Sequence, residues 1–213
     1  RPNLPPNGPI QPPIALVQPP NGPVQPLDES NQPPSALIQP PIGPIQLTDE
    51  VHKLINKISE GENLSNTDIE VTEASEKGDN YMGQLLRVQV SDKKQQKSQN
   101  FIVKNAPNHP VIRKMVPVEN LYRREIAAYK TILPTLYKVQ VKYSIPIEER
   151  FSYAKFFGCI DDLGKESIIM EDLSTKGFKM YNRKISFDKQ HLELVIKTLA
   201  RFHATSFVLK KTH

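Results

Sequence analysis

The sequence lacks the features by which secreted and membrane proteins are usually recognised. Its 213 residues include one cysteine, so no disulfide framework can form within the chain, which is typical of a reducing compartment. No apolar run approaches the ~20 residues of a membrane-spanning helix. No basic segment followed by an apolar one marks a secretory signal peptide. We therefore expect a cytoplasmic protein without a membrane partner.

The sequence is also poor in metal ligands and in clustered charge. Its histidines, single cysteine and acidic residues nowhere adopt the spacing of a metal-ligand set. The net charge of +5 is spread along the chain, so it fits the handling of anions such as phosphates rather than of nucleic acid. Cys159 lies in an apolar stretch, and we interpret it as a core thiol rather than a nucleophile.

Proline, in contrast, is abundant and concentrated near the N-terminus. Fifteen of the 20 prolines fall within residues 1–46, which contain no aromatic residue. A seven-residue repeat ending in Gln runs through this segment without a gap. Its units are PPNGPIQ (5–11), PPIALVQ (12–18), PPNGPVQ (19–25), PLDESNQ (26–32), PPSALIQ (33–39) and PPIGPIQ (40–46). Proline opposes helix and favours polyproline II, and a segment without aromatic residues cannot bury its own core. We therefore predict a disordered tail.

The tail allows two interpretations. PIQP (9–12), PVQP (23–26) and PIGP (41–44) resemble PxxP ligands, so the tail could dock to a domain that recognises polyproline II. Alternatively, it is a spacer without a binding role. We favour the spacer because no PxxP segment has a cationic anchor beside it.

From Leu47 onward, the apolar pattern predicts an α+β fold. Thr48 is the predicted N-cap of the first helix, Pro134 is expected to end the second, and Asp188 is the predicted N-cap of the last. The predicted helices lie at 48–61, about 120–133 and about 188–210. The predicted strands lie at 67–74, 84–90, 100–106, about 154–160 and 166–172. A polar loop joins the second and third strands as a hairpin, and DDLGK (161–165) forms the last turn. The sequence does not give the strand order.

Two segments early in this region contain residues that could bind a phosphate group. EKGDNYMG (76–83) lies between two predicted strands, and Gly78 and Gly83 would let backbone amides approach a phosphate, although most such glycine pairs are hairpin turns. Lys104 ends the apolar strand FIVK and shares a face with Ile102. Such a lysine is often an edge residue that reaches water, but the strand-three lysine of kinases follows a similar VAIK pattern.

The second predicted helix carries a carboxylate that could pair with Lys104. In LYRREIAAYKTIL (121–133), Glu125 shares one helical face with Leu121, Ala128, Tyr129 and Ile132. An unpaired carboxylate in an apolar stripe costs several kcal/mol. We therefore expect an ion pair between Glu125 and Lys104. The alternatives, Arg124 and Lys130, point elsewhere on the helix.

The segment ESIIMEDLSTKGF (166–178) is the third candidate part of a binding site. Its apolar strand runs directly into two carboxylates, Glu171 and Asp172. A glycine-containing turn, a strand lysine and a helix glutamate form the layout of a kinase N-lobe. In that layout this strand ends at the hinge, where backbone groups from Met170 to Leu173 would bond the adenine edge. The two carboxylates would cap the following segment or pair with basic residues.

Five segments carry a family resemblance when they are taken together: KGDNYMG, FIVK, YRREIAAYKTILPTL, IIMEDLSTKGF and LARFHATSF. They resemble the ecdysteroid kinase-like family, which is related to choline kinases and aminoglycoside phosphotransferases. The resemblance covers about residues 47–210. It implies a kinase-like fold, ATP and Mg²⁺ as cofactors, and an alcohol such as an ecdysteroid as acceptor. It further implies that Lys104 contacts the α- and β-phosphates, that Glu125 holds Lys104, and that Gly78, Asn80 and Tyr81 form the phosphate loop.

The sequence departs from the family's pattern in two ways. Gly83 stands where the family usually has a serine, so one phosphate contact is missing. The family's catalytic Asp in an HGD segment and its metal-binding Asp in a DFQ-like segment have no counterpart here. We therefore expect neither a catalytic residue nor a metal ligand in this chain. His203 lies on the apolar stripe of the last helix, and we interpret it as a core histidine.

These observations predict three parts: a tail at 1–46, a kinase-like N-lobe ending in the hinge at 47–173, and the start of a truncated C-lobe at 174–213. We interpret the chain, which begins with Arg1, as a fragment of an ATP-dependent small-molecule kinase without its catalytic lobe. One alternative is a non-catalytic binding module or pseudokinase with a docking tail. The other is an incomplete gene product without a function of its own.

Overall fold

The computed structural model describes residues 45–65, 67–74, 83–182 and 185–212, and within them an antiparallel sheet carries a helix on each face. The strands are β1 (Thr67–Glu73), β2 (Gln84–Asp92), β3 (Lys97–Asn105), β4 (Phe156–Ile160) and β5 (Ser167–Glu171), in the order β1-β2-β3-β5-β4. The helices are α1 (Asp49–Gly61), α2 (Pro110–Met115), α3 (Val118–Ala127), α4 (Leu133–Lys142) and α5 (Lys189–Thr212). The predicted α+β class with five antiparallel strands is confirmed, whereas residues 1–44 of the predicted tail lie outside the described residues.

The helix α1 packs on one face of the sheet and covers it. Thr48 caps this helix as predicted, because its hydroxyl accepts a hydrogen bond from the backbone N–H of Val51 at 3.3 Å. On this face, every second residue of β2 from Leu86 to Asp92 is buried, as are Phe101 and Val103 of β3. The core consists of Val51, Ile55, Leu64, Leu86, Val88, Val90, Phe101, Val103 and Ile169. A slip of one residue would turn the core residues of a strand to the other face of the sheet. The alternation therefore fixes the register of the β2–β3 hairpin.

The opposite face is covered unevenly. Over β5, α3 packs Val118, Tyr122 and Ile126 against the buried Ile168. Over β2 and β3, residues such as Leu85 and Ile102 are only half-buried. The sheet therefore has one closed face and one face that is open beside α3.

The helix predicted at 120–133 differs from the structure in its end and in its buried face. Pro134 does not end it: the backbone passes through a π-helical turn at Ala128–Ile132 and continues as α4, with Pro134 in its first turn. A proline ring clashes with the carbonyl four residues earlier, and the wider π turn accommodates it. The predicted stripe was wrong at its two ends, because Leu121 and Ile132 are exposed, whereas its three central residues are half-buried. The buried face lies one residue further on and includes Tyr122.

In the last helix, α5, one prediction is confirmed and one interpretation was wrong. Its predicted N-cap is confirmed, since Asp188 Oδ1 accepts a hydrogen bond from the backbone N–H of His191 at 2.9 Å. His203 is exposed, so its interpretation as a core histidine was wrong. The helix packs against α4, and Phe202 meets Phe151 with ring centroids 5.6 Å apart, which leaves His203 on the outer side. No helix in the described residues has the length and apolar character needed to cross a bilayer.

Cys159 lies half-buried in β4, packed against the cluster beneath α3. Burial raises the pKa of its thiol, with Asp161 adding to the effect. A thiol with a raised pKa is protonated at neutral pH, so its environment supports the interpretation as a packing residue.

A buried ion pair attaches the short helix α2 to the sheet. The Arg113 guanidinium donates to both carboxylate oxygens of Glu166, just before β5, and its Nε donates to the Pro107 carbonyl at 2.8 Å. The Glu166 side chain is 3% exposed. None of the six residues of α2 is fully buried, so this ion pair holds the helix in place together with Ile112, which packs against the cluster beneath α3.

We expect Arg113→Met to lower the free energy of unfolding by about 3 kcal/mol, because it leaves the buried Glu166 carboxylate without its cation. The control is Arg123→Met, which removes a surface pair with Glu119 and should cost less than about 0.5 kcal/mol. Urea unfolding followed by circular dichroism measures both. Equal losses in the two variants would contradict this role of the pair.

Candidate functional site

The structure brings Lys104 and Glu125 together at the open face of the sheet. Lys104 Nζ, at the end of β3, lies 2.6 Å from Glu125 Oε2 in α3. The alternation of β3 buries Phe101 and Val103 on the closed face and turns Lys104 toward α3. The predicted ion pair is thus confirmed. The two side chains remain 24% and 30% exposed, so their charges are accessible to a ligand.

Tyr122 forms the inner wall beside this pair. Its ring centroid lies 5.5 Å from Lys104 Nζ, within cation–π distance. Burial raises the pKa of Tyr122, and the nearby Glu125 carboxylate raises it further. The phenol is therefore neutral at physiological pH, and its ring stabilises the lysine charge.

Gly83 approaches the same wall from the start of β2. Its φ of +124° is a conformation that other residues rarely adopt, and a Cβ there would lie 2.1 Å from the Asn105 carbonyl oxygen and 2.8 Å from the Tyr122 hydroxyl. A side chain at this position is therefore excluded on steric grounds, which accounts for the absence of a serine. Gly78, Asn80 and Tyr81 lie outside the described residues, so the phosphate loop stays a prediction.

The two acids at the end of β5 are both engaged, in the ways predicted. Asp172 Oδ1 accepts hydrogen bonds from the backbone N–H and the hydroxyl of Ser174, at 3.0 and 2.7 Å, and caps the short 3₁₀ turn at Leu173–Lys176. Its Oδ2 accepts a hydrogen bond from Arg87 Nε at 2.7 Å. Glu171 pairs with Lys176 at 2.5 Å.

Both carboxyl groups are held in their ionised form. Burial by itself raises the pKa of Asp172, but the hydrogen bonds from Ser174 and Arg87 outweigh it and leave that pKa below its ordinary value of 3.8. The hydrogen bond from Lys176 lowers the pKa of Glu171 below its ordinary value of 4.5. Two fixed negative charges therefore stand at the strand end, each beside a cation.

An apolar surface connects the lysine to this strand end. Leu85 lies opposite Lys104, and Ile102 lies opposite Met170. Because cross-strand partners project from the same face, all four side chains line the open face. They are half-buried, as is Leu173 just beyond β5. A flat ligand with an anionic end could therefore lie on the apolar surface, with one end at the end of β5 and its anionic end at Lys104.

The sequence matches the ecdysteroid kinase-like family over residues 77–213, more than half of its length. The chain belongs to the ecdysteroid kinase-like family. Comparisons with curated proteins and with solved structures give no significant match. The match begins just before Gly83 and includes Lys104, Glu125 and the end of β5. In this ecdysteroid kinase-like protein, the sheet and α3 therefore belong to a kinase-like fold.

A metal site is not evident in this part of the molecule. Within the described ranges, no group of three or more histidine, cysteine or acidic side chains could hold a metal ion. The charged group that the open face offers to an organic anion is Lys104.

A separate cavity of about 440 Å³ lies between the π turn and the segment before β4. Half of its eight lining residues are aromatic, among them Tyr129, Tyr137 and Phe156, and Lys104 does not line it. Tyr129 and Phe156 stack with ring centroids 6.2 Å apart. The cavity is therefore an aromatic pocket beside α3, distinct from the charged site on the sheet.

Sequence reasoning missed two residues of the site, Arg87 and Tyr122. Arg87 occupies a position of β2 that alternation places on the same face as Lys104, and this signal was available. Its partner Asp172 was not predictable, because that contact requires β5 to lie next to β3. Tyr122 was missed because the helical face was predicted one residue away.

We expect Gly83→Ala to lower the free energy of unfolding by about 3 kcal/mol, since backbone strain costs ~1–3 kcal/mol and the contact with Asn105 adds to it. The matched control is Gly164→Ala, where φ is +88° and no atom lies within 4 Å of the added Cβ. Strain alone should cost about 1 kcal/mol there. Thermal and urea unfolding compare the two, and equal costs would refute the steric argument.

We expect Asp172→Asn to flatten the acid side of the stability profile. Because the pKa of Asp172 is lower in the folded protein, its contribution is present above the ordinary value of 3.8 and is lost as the pH falls below it. The measurement is urea unfolding at pH values on both sides of 3.8, for the wild type and the variant. Parallel profiles in the two proteins would contradict the prediction.

Proposed function

We propose that this domain is the nucleotide-binding lobe of a kinase that transfers a phosphoryl group from ATP to an alcohol. Residues 47–173 form the lobe and its hinge, and residues 174–213 begin the next lobe. The observation that carries the proposal is the Lys104–Glu125 pair on the open sheet face, at one end of the apolar surface that leads to β5. Family membership supports it, because kinases generally depend on ATP and Mg²⁺.

The hinge end of the site would hold the base. Backbone groups of residues 170–173 would bond the adenine edge, and Leu85 and Ile102 would cover one face of the ring. An apolar surface with a few convergent polar groups is the usual character of such pockets. Glu171 and Asp172 serve the hinge indirectly, since their hydrogen bonds fix the course of the chain.

The other end of the site would hold the phosphates. Lys104 would contact the α- and β-phosphates, and Glu125 would hold its ammonium group in position, as in other kinases. Backbone amides around Gly78, Asn80, Tyr81 and Gly83 would approach the phosphates from the β1–β2 connection. In the proposed reaction a bond would form between the acceptor oxygen and the γ-phosphorus of ATP while the bond from that phosphorus to ADP breaks; ADP leaves, and the hydroxyl proton passes to water.

The acceptor in this proposal is an alcohol such as an ecdysteroid, the class named in the family's description. We assign no residue of this chain as general base or as Mg²⁺ ligand. A cytoplasmic location is part of the proposal. The alternative function is a non-catalytic module whose tail at 1–46 docks to a polyproline-recognising domain, and it predicts no effect of nucleotide on the protein.

We expect Lys104→Met to weaken ATP binding by about tenfold or more, because a lost charge-assisted hydrogen bond to phosphate is worth about 1.5–3 kcal/mol. Glu125→Gln should weaken it less, since the lysine remains but is no longer held by a carboxylate. Isothermal titration calorimetry of the whole chain measures both.

The matched control is Lys97→Met, on the same strand but at its far, exposed end. It should bind ATP like the wild type. If all three variants bind ATP equally, Lys104 is not the phosphate-binding residue. If the wild type binds no nucleotide while a proline-recognising domain captures residues 1–46, the alternative function is correct.

A further inference from the structure

Arg87 makes an ion pair that crosses an intervening strand. It lies in β2, and its partner Asp172 directly follows β5, although β3 separates these two strands. Two strand spacings amount to about 10 Å, so the extended Arg87 side chain is needed to span them. Nε of Arg87 reaches Asp172 Oδ2 at 2.7 Å. The pair therefore ties the end of β5 to a strand that β5 does not touch.

The path of the Arg87 side chain lies on the open face. The strand register aligns Arg87 with Ile102 and Ile102 with Met170, so the three residues form one row across the sheet. Asp172 lies two residues beyond Met170, so the Arg87 side chain has to extend diagonally across β3, from this row toward the end of β5. It remains 40% exposed, and its Nη groups make no hydrogen bond within the described part of the chain. The end of the guanidinium group is therefore open to a ligand.

Asp172 is the fixed member of the pair. Its side chain is 2% exposed, and its other oxygen is already engaged by Ser174. A buried carboxylate with three hydrogen bonds has little freedom to move or to exchange partners. The Asp172 side chain thus links β2, the end of β5 and the start of the 3₁₀ turn.

This row is separated from the row that contains Lys104. Arg87 and Lys104 lie in cross-strand rows two residues apart, which corresponds to about 7 Å along the strands. A nucleotide lying along the open face would therefore meet the two cations with different parts of its structure: phosphate at Lys104, and base and sugar toward Arg87.

We propose that Arg87 is a positioning residue for the base of a purine nucleotide: through Asp172 it fixes the chain after β5 at the spacing that the base requires. Its planar guanidinium group also suits contact with an aromatic ring, a geometry that lysine does not offer. The assignment rests on the proposed function, since it divides that same site into a base end and a phosphate end.

The test compares two ligands, ATP and inorganic tripolyphosphate, which share the phosphate chain but differ in the base. We expect Arg87→Gln to weaken ATP binding about tenfold, the equivalent of one charge-assisted contact, and to leave tripolyphosphate binding within about twofold. Lys104→Met should weaken both ligands. Arg123→Gln, the same substitution at an exposed surface pair, should change neither.

A second variant separates positioning from stability. Arg87→Gln leaves the buried Asp172 carboxylate without its cation and could destabilise the fold. The double variant Arg87→Gln/Asp172→Asn removes that charge, so it should regain stability while keeping the altered ratio of ATP to tripolyphosphate affinity. Retained tripolyphosphate binding reports in each case that the protein is folded.

Three results would overturn the assignment, and they differ in what else they imply. If the wild type binds ATP and Arg87→Gln binds it equally well, Arg87 has no role for the base and the proposed function stands. If Arg87→Gln and the double variant lose both ligands equally, Arg87 serves the phosphate end or the fold. If the wild type binds neither ligand, the proposed function fails and the assignment fails with it.

Discussion

The constraint on which the rest of the structure depends is the alternation of side chains along β2 and β3. On one face, every second residue enters the core beneath α1 and is removed from water. Because the period of a strand is two, burying Val88 and Val103 obliges Arg87 and Lys104 to project from the other face. The hydrophobic core therefore determines where both cations of the site can lie. A slip of register would cost the core and the site together.

The unequal covering of the second face leaves these two cations partly exposed. Over β5, α3 supplies a small core around Ile168 and brings Glu125 to Lys104. Over β2 and β3, the same face stays half-exposed, which a strand tolerates only when its other face is fully packed. The domain thus separates two tasks between the faces of one sheet. One face provides stability, and the other presents an apolar surface bordered by ion pairs.

The sequence predicted the parts that local patterns encode. The cap at Thr48, the β2–β3 hairpin and the cap at Asp188 depend on neighbours within a few residues. The Lys104–Glu125 pair was predicted from the cost of an unpaired carboxylate in an apolar stripe; the pair is present, although Glu125 is 30% exposed. The parts that failed depend on tertiary packing. The buried face of α3 was predicted one residue away because Tyr122, with an apolar ring and a polar tip, fits either side of a helix. The partner of Arg87 required the strand order, which no local pattern contains.

The two ion pairs of the open face differ in a way that matters for ligand binding. Lys104 and Glu125 are both partly exposed, so the lysine can turn from its carboxylate toward an arriving phosphate without leaving a buried charge behind. Asp172 is buried, so separating it from Arg87 would carry the full penalty of an uncompensated interior charge. One end of the surface is therefore adaptable and the other is rigid. Such a division would suit the nucleotide proposed above, whose phosphates change position during the reaction while its base stays in place.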